Sequence, residues 1–372
     1  MNIPDLSLPQ DDQTMRLPHP LRCAVCLTER DIAAWRGFLG ARTWGALTQE
    51  FQAQDGLTGD ALLRLTASPE HARLSMLTET LSHSEGNTEM GSAFSVMLYL
   101  RQLQSPQPHF LIEDALTEML EHTDIADDIP VSMLALPFPR CYVEFGRRRE
   151  LLPRVPNPLT GLHTLEGAYI ETGVSEARGK GIFVMLTGSP LGHHDAMDDA
   201  TCSLFIPTTD PERPLRDALL DARRASGALA LDLGLRAAPE EYFEHEMDAL
   251  KLLAKALLYL NLPQARKTLR KELTEAKLQV AAKKNPAKRA KAEKELRRLS
   301  DYILVSAPPP QSDVRGSGTG KSLRMHWRRG HYRLQRHGIG NSLQKLIFLQ
   351  PALIGAADSD ATAPAGRYVA KA

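Results

Sequence analysis

Four short runs between residues 131 and 209 constrain the fold most: VSMLALPFPRCYVEFG, EGAYIETG, GIFVMLTG and CSLFIPTT. Each is rich in aromatic and β-branched residues and bounded by proline, glycine or an acidic loop, the pattern of strands rather than of amphipathic helices. DPERPLRDALLDARRAS follows with helical spacing. The segment therefore predicts an antiparallel or mixed sheet with a packed helix.

Helical spacing dominates on both sides. TERDIAAWRGFLG, ARTWGALTQEFQAQ, SPEHARLSMLTETL, GSAFSVMLYLRQL and FLIEDALTEMLEHT repeat apolar residues every three to four positions. Ser68-Pro69-Glu70 and Thr28-Glu29 read as helix starts. Downstream, PEEYFEHEMDALKLLAKALLYLN has a strong apolar face. QARKTLRKELTEAKLQVAAKK and PAKRAKAEKELRRLSDYIL read as two basic antiparallel helices broken at Asn285-Pro286. APPPQSDVRGSGTG is a linker by composition. SLRMHWRR, HYRLQ and QKLIFLQP read as short strands.

The expected fold class is α+β. A helical N-terminal region covers 1–130, a central, mostly antiparallel sheet region with packed helices 131–235, and a helical region with the basic hairpin 236–306. A linker covers 307–322, a small basic β-rich motif 323–355 and a disordered tail 356–372.

The formal net charge of zero hides a split. Residues 261–345 hold 21 Lys+Arg against 6 Asp+Glu, or +15, and residues 1–260 hold 22 against 37, or −15. An acidic body with a basic C-terminal third points to a polyanionic partner, or to the two parts docking on each other. No run reaches the length of a membrane span, and MNIPDLSLPQDDQ lacks the basic-then-apolar order of a secretory signal. Four cysteines make no disulfide framework, so the expected setting is the reducing cytoplasm.

Several local patterns lose their apparent chemistry on inspection. GTGKS ends like a phosphate-binding loop, but the glycine required five residues before Gly320 is Arg315, and a Pro-rich linker stands where a buried strand belongs. Cys23 and Cys26 have the spacing of half a zinc site, with His19 as a conceivable third ligand and no second pair. Cys141 and Cys202 stand alone in strands, which suits buried apolar thiols. His193, His194, Asp195, Asp198 and Asp199 read as a solvated hairpin loop. No metal and no cofactor is expected.

Two basic clusters remain. Arg266, Lys267, Arg270, Lys271 and Lys277 are expected on the first basic helix, and Lys288, Arg289, Lys291, Lys294, Arg297 and Arg298 on the second. Both suit a solvated hairpin or sequence-independent phosphate contact. Arg324, Arg328, Arg329, Arg333, Arg336 and Lys345 are interleaved with Trp327, Tyr332, His326, His331 and His337. Guanidinium forks bind phosphates in pairs of hydrogen bonds, and aromatic rings stack on unpaired bases. On a strand, His331 and Arg333 share one face and Tyr332 takes the other. His326 and His331 are the candidate acid–base pair if the chain cleaves RNA. The same residues also suit a hydrogen-bonded staple of the fold.

Arg329-Gly330-His331-Tyr332-Arg333, then Gly338-Ile339-Gly340 with Ser342, then Leu346-Ile347-Phe348-Leu349-Gln350-Pro351 and Gly355 resembles a C-terminal signature of a phage and plasmid family. LPFPRCYVEFG and EGAYIE are similar in character to that family's middle sheet. The family includes a type V-A anti-CRISPR that lowers expression of the effector nuclease. The resemblance implies a cytoplasmic mobile-element protein acting against host defence, with a host protein or nascent peptide as one partner. In that member, recognition of the nuclease's nascent N-terminal peptide is tied to loss of its mRNA. The basic C-terminal third fits a protein working beside RNA or a ribosome. The leading expectation is thus a binding protein; the alternatives are a ribonuclease and a phage structural or nucleic-acid-binding protein.

Overall fold

The computed structural model describes residues 17–26, 29–52, 65, 68–74, 108–146, 152–157, 161–175, 178–189, 200–232, 240–309 and 326–354. Residues 1–16, the helix read in GSAFSVMLYLRQL, the His193–Asp199 loop, the GTGKS segment with Arg324, and the tail lie outside them.

Among the described residues three helices come first: α1 (His19–Cys26), α2 (Glu29–Leu39) and α3 (Ala41–Gln52). Then come β1 (His109–Ile112), α4 (Asp114–Glu121), β2 (Thr123–Ile125), β3 (Arg140–Phe145), β4 (Arg154–Asn157), β5 (Gly161–Ser175), β6 (Gly179–Ser189) and β7 (Ala200–Pro207). Helices α5 (Leu215–Asp232) and α6 (Phe243–Leu260) follow, then β8 (Arg266–Arg270), α7 (Glu272–Ala281), α8 (Pro286–Glu295) and β9 (Tyr302–Ser306). The C-terminal strands are β10 (His326–Arg328), β11 (Gly330–His337), β12 (Leu343–Leu349) and β13 (Ala352–Ile354).

The α+β expectation holds. The main sheet has the order β7-β6-β5-β3-β1-β9-β8, with β4 also on β5. Its pairings are antiparallel except at the centre, where β1 runs parallel to both β3 and β9. Three segments expected to be helical contribute strands, the second basic one ending in β9 with DYIL. FLIEDALTEMLEHT begins with β1 and turns helical only at Asp114, and the first basic segment opens with edge strand β8, so Arg266, Lys267 and Arg270 lie on a strand. For β1 and β8, pairing with β9 supplies backbone partners that outweigh the local helical spacing. The helical hairpin is real but shorter: Asn285 caps α8, its Oδ1 accepting from the Lys288 amide at 3.1 Å, and Pro286 occupies the first turn.

One face of the sheet is apolar. Cys141, Val143 and Phe145 of β3, Ala168 and Ile170 of β5, Val184 and Leu186 of β6, and Leu204 and Ile206 of β7 form one buried core with Leu219 of α5 and Leu253 and Leu257 of α6. The strict alternation along each strand is what places these residues together. Burial drives both thiols, Cys141 and Cys202, up to about 12, which fits inert core cysteines. Among the described residues no helix is long and apolar enough to cross a membrane.

Candidate functional site

The basic C-terminal motif is a β11–β12 hairpin rooted in the core. Strand β11 lies between β12, antiparallel, and β2, parallel. The Gly330 amide donates to the His122 carbonyl and the Ala126 amide to that of Tyr332. Gly330 is required by space: a Cβ there would lie 2.6 Å from Pro351 Cδ and 2.7 Å from the Leu349 oxygen.

Tyr332 is fully buried. Its ring stacks on Phe348 at 4.9 Å, and its hydroxyl donates to the Lys255 carbonyl of α6 at 2.9 Å. Phe348 meets Tyr259 edge-on at 5.9 Å. Tyr332 is therefore a staple, and its expected role in stacking on a base is corrected: the ring has no open face. Burial also drives its hydroxyl well above the ordinary phenol range.

Its neighbours in sequence point the other way. Arg333, Arg336 and Lys345 are exposed and His331 is half-buried. Arg328 and Arg329 are exposed at the root, and Arg329 pairs with Asp124 at 2.9 Å. Close by, burial pushes the Glu121 carboxyl up and the Lys255 ammonium down, each opposed by the other's charge. On the helical hairpin Lys288, Arg289 and Arg297 are exposed; Arg289 pairs with Glu293 at 2.9 Å and Arg298 with Glu295 at 3.6 Å. These exposed pairs contribute little to stability, about 0–1 kcal/mol each. His326 sits on β10, paired with Ile354 in a separate two-stranded sheet, whereas His331 faces Leu349 and Asp124 in the hairpin sheet. The side chains of His326 and Trp327 lie outside the described residues.

A second polar site emerges on the other face of the main sheet, under α1. Arg22 donates to both carboxylate oxygens of Glu166, at 2.8 and 2.7 Å, with both residues buried. His19 Nδ1 meets the Tyr169 hydroxyl at 3.0 Å, so this histidine serves the fold. Burial, with Arg22 beside it, lowers the imidazole from 6.5 to about 3 and keeps it neutral. Tyr142 packs on Tyr169 at 4.7 Å and bonds Thr187 at 3.2 Å. Along the same face Arg140 pairs with Glu171 at 2.7 Å and His109 with Glu144 at 2.8 Å.

EGAYIE now reads residue by residue. Glu166 anchors α1, and Gly167 clears the Tyr142 hydroxyl, which a Cβ would approach to 2.5 Å. Ala168 and Ile170 enter the core, while Tyr169 and Glu171 serve the polar face. Its aromatic and β-branched residues between glycines mark a strand in the sequence; the partner Arg22, 144 positions away, leaves no mark there. The Cys23 and Cys26 side chains lie outside the described residues, and among the described ones no group of three His, Cys, Asp or Glu is placed to hold a metal ion.

An open groove of about 410 Å³ lies where the segment 131–136 crosses the end of the β5–β6 hairpin. Val131, Leu134, Leu136, Val174 and Ile182 line it, and Gly173 pairs with Gly181 on its floor.

Residues 110–356 match the AcrVA2-like family, anti-CRISPR type V subtype A2. The chain belongs to this family. No curated protein and no solved structure matches it. The match opens in β1 and closes just beyond β13, so it takes in the main sheet, the helical hairpin and the rooted β11–β12 hairpin. Helix α1 lies outside it and is held to the family's sheet by the Arg22–Glu166 pair. Membership in an anti-CRISPR family assigns the chain an anti-defence role.

Proposed function

We propose that this anti-CRISPR protein lowers the amount of a host CRISPR effector nuclease by acting during its translation, as a binding protein rather than an enzyme. Its acidic body recognises the emerging polypeptide. Its basic C-terminal third contacts the RNA or the ribosome through Arg328 on β10, Arg333, Arg336 and Lys345 on the β11–β12 hairpin, and Lys288, Arg289, Arg297 and Arg298 on the helical hairpin. The observation that carries the reading is the β11–β12 hairpin, where Tyr332 and Phe348 are locked into the core while Arg333, Arg336 and Lys345 stand in solvent. Such cations gain little for the fold and suit phosphate contact. The apolar groove over Gly173 and Gly181 offers the body a seat for an extended segment.

The test uses cells carrying a type V-A effector nuclease, with and without the full-length protein. Nuclease mRNA and nuclease protein are both measured, and the protein is followed through ribosome sedimentation with and without ribonuclease treatment. The expected result is a fall in both mRNA and protein, with the anti-CRISPR travelling with ribosomes. Blocked interference at unchanged nuclease mRNA and protein would overturn the reading and indicate direct inhibition of the finished nuclease.

A further inference from the structure

We propose that the distal half of the β11–β12 hairpin is an arm that enters a groove of double-stranded RNA and inserts Ile339 at an unstacked base step. The proposal rests on the RNA contact of the preceding section and adds the form of RNA, the mode of entry and the residue at its point.

The anchor ends at Tyr332 and Phe348, with Leu346 packed at its margin. Beyond the Leu334–Leu346 rung come three further rungs, Gln335 with Lys345, Arg336 with Gln344 and His337 with Leu343. All of these residues are exposed except half-buried His337. At roughly 3.4 Å per residue they carry the tip about 10 Å from its root. The arm is thus a two-stranded ribbon held at one end only.

Directly opposed residues share a face of the ribbon and successive residues alternate. Arg336 therefore lies on the Tyr332 face, and Arg333 and Lys345 on the other. Among the described residues none of these three cations takes part in an ion pair. A ribbon lying flat on a polyanion needs charge on one face. Cations on both faces suit a ribbon standing between two phosphate strands; the narrow A-form groove admits one where a bulge interrupts the stem and leaves bases unstacked.

The tip adds the second observation. Gly338, Gly340 and Asn341 all have positive φ, at 80°, 64° and 57°, and the turn they form leaves Ile339 98% exposed. Leu343, 56% exposed, lies over Gly338, where an added Cβ would meet its Cδ1 at 3.2 Å. A lone exposed aliphatic residue is ordinary. Two of them at the point of a cationic arm match the apolar wedges that nucleic-acid-binding proteins drive between base steps.

The test is binding of the full-length protein to an RNA stem–loop with one bulge, 2-aminopurine beside the bulge, titrated at several salt concentrations. A DNA stem of the same sequence and the unpaired RNA strand serve as comparisons. Wild type is expected to bind the RNA stem with a salt-dependent affinity and to raise the 2-aminopurine fluorescence several-fold. Ile339→Ser is expected to keep the salt slope, bind several-fold more weakly and lose most of the fluorescence rise. Because Ile339 is exposed at the turn, this variant keeps its fold, which circular dichroism checks. Arg333→Gln/Arg336→Gln/Lys345→Gln is expected to lower the slope of log affinity against log salt by about 2. Full fluorescence rise and affinity in Ile339→Ser would overturn the wedge and leave the RNA reading standing. Absence of salt-dependent RNA binding in wild type would overturn both. Tighter binding to the DNA stem or to the unpaired strand would overturn the duplex-RNA assignment.

Discussion

The root and the distal half of one hairpin share a ladder and a pair of strands, yet they do opposite things. At the root, Tyr332 and Phe348 fill the core beside α6, and Gly330 leaves no room for a side chain. Further along, Arg336, Lys345 and Ile339 touch little but solvent. The difference is set by what stands opposite each face and by distance from α6. A motif of arginine, glycine, histidine and tyrosine thus carries two roles on alternate residues, and its residues must be assigned singly.

The comparison breaks most visibly at the root. Tyr332→Ala should cost about 3–5 kcal/mol in urea denaturation, because it leaves a cavity beside Phe348 and removes the hydroxyl bonded to α6. Tyr332→Phe keeps the ring and should cost only about 0.5–1.5 kcal/mol. A loss below 0.5 kcal/mol for Tyr332→Ala would remove the staple from the account.

The polar face under α1 gives the next effect. Arg22→Ala strands a buried Glu166 and should cost about 3–5 kcal/mol, partly by releasing α1 from the sheet. Protease cleavage within residues 17–26 should quicken in step; unchanged cleavage and stability would show that α1 is held by something else.

A smaller effect comes from pH. His19 is held near 3 in the fold against 6.5 when free, so the unfolded chain binds the proton first. Its contribution is fully present above pH 6.5 and is lost as pH falls from there toward 3. The melting temperature of wild type should drop between pH 7 and 4 more steeply than that of His19→Gln; parallel curves would contradict the burial of a neutral imidazole.

The smallest stability effect belongs to the arm. Arg333→Gln, Arg336→Gln and Lys345→Gln should each change stability by less than about 0.5 kcal/mol. A larger loss would mean that the distal cations hold the fold after all.

How far the sequence reveals all this depends on the range of the signal. Aromatic and β-branched runs bounded by proline and glycine mark the central sheet, and Asn285-Pro286 marks the break between the two helices of the hairpin, because both signals are local. The opposite faces of Tyr332 and Arg333 followed from strand geometry alone. Which face was buried did not, because α6 lies some 77 positions from Tyr332 in the chain. Strand β8 was hidden for a related reason: RKTLR has a helical neighbourhood and becomes a strand only by pairing with β9 across an intervening hairpin. The Arg22–Glu166 clamp joins residues whose individual contexts, a Pro-flanked helix and a sheet, contain no mark of each other.

The most direct measurement of the division between root and arm is ultraviolet crosslinking of the full-length protein to RNA in living cells, with the modified peptides mapped. The account predicts crosslinks within residues 333–345 and none on Tyr332. Crosslinks confined to the acidic body or to the helical hairpin, or a crosslink on Tyr332 itself, would contradict it.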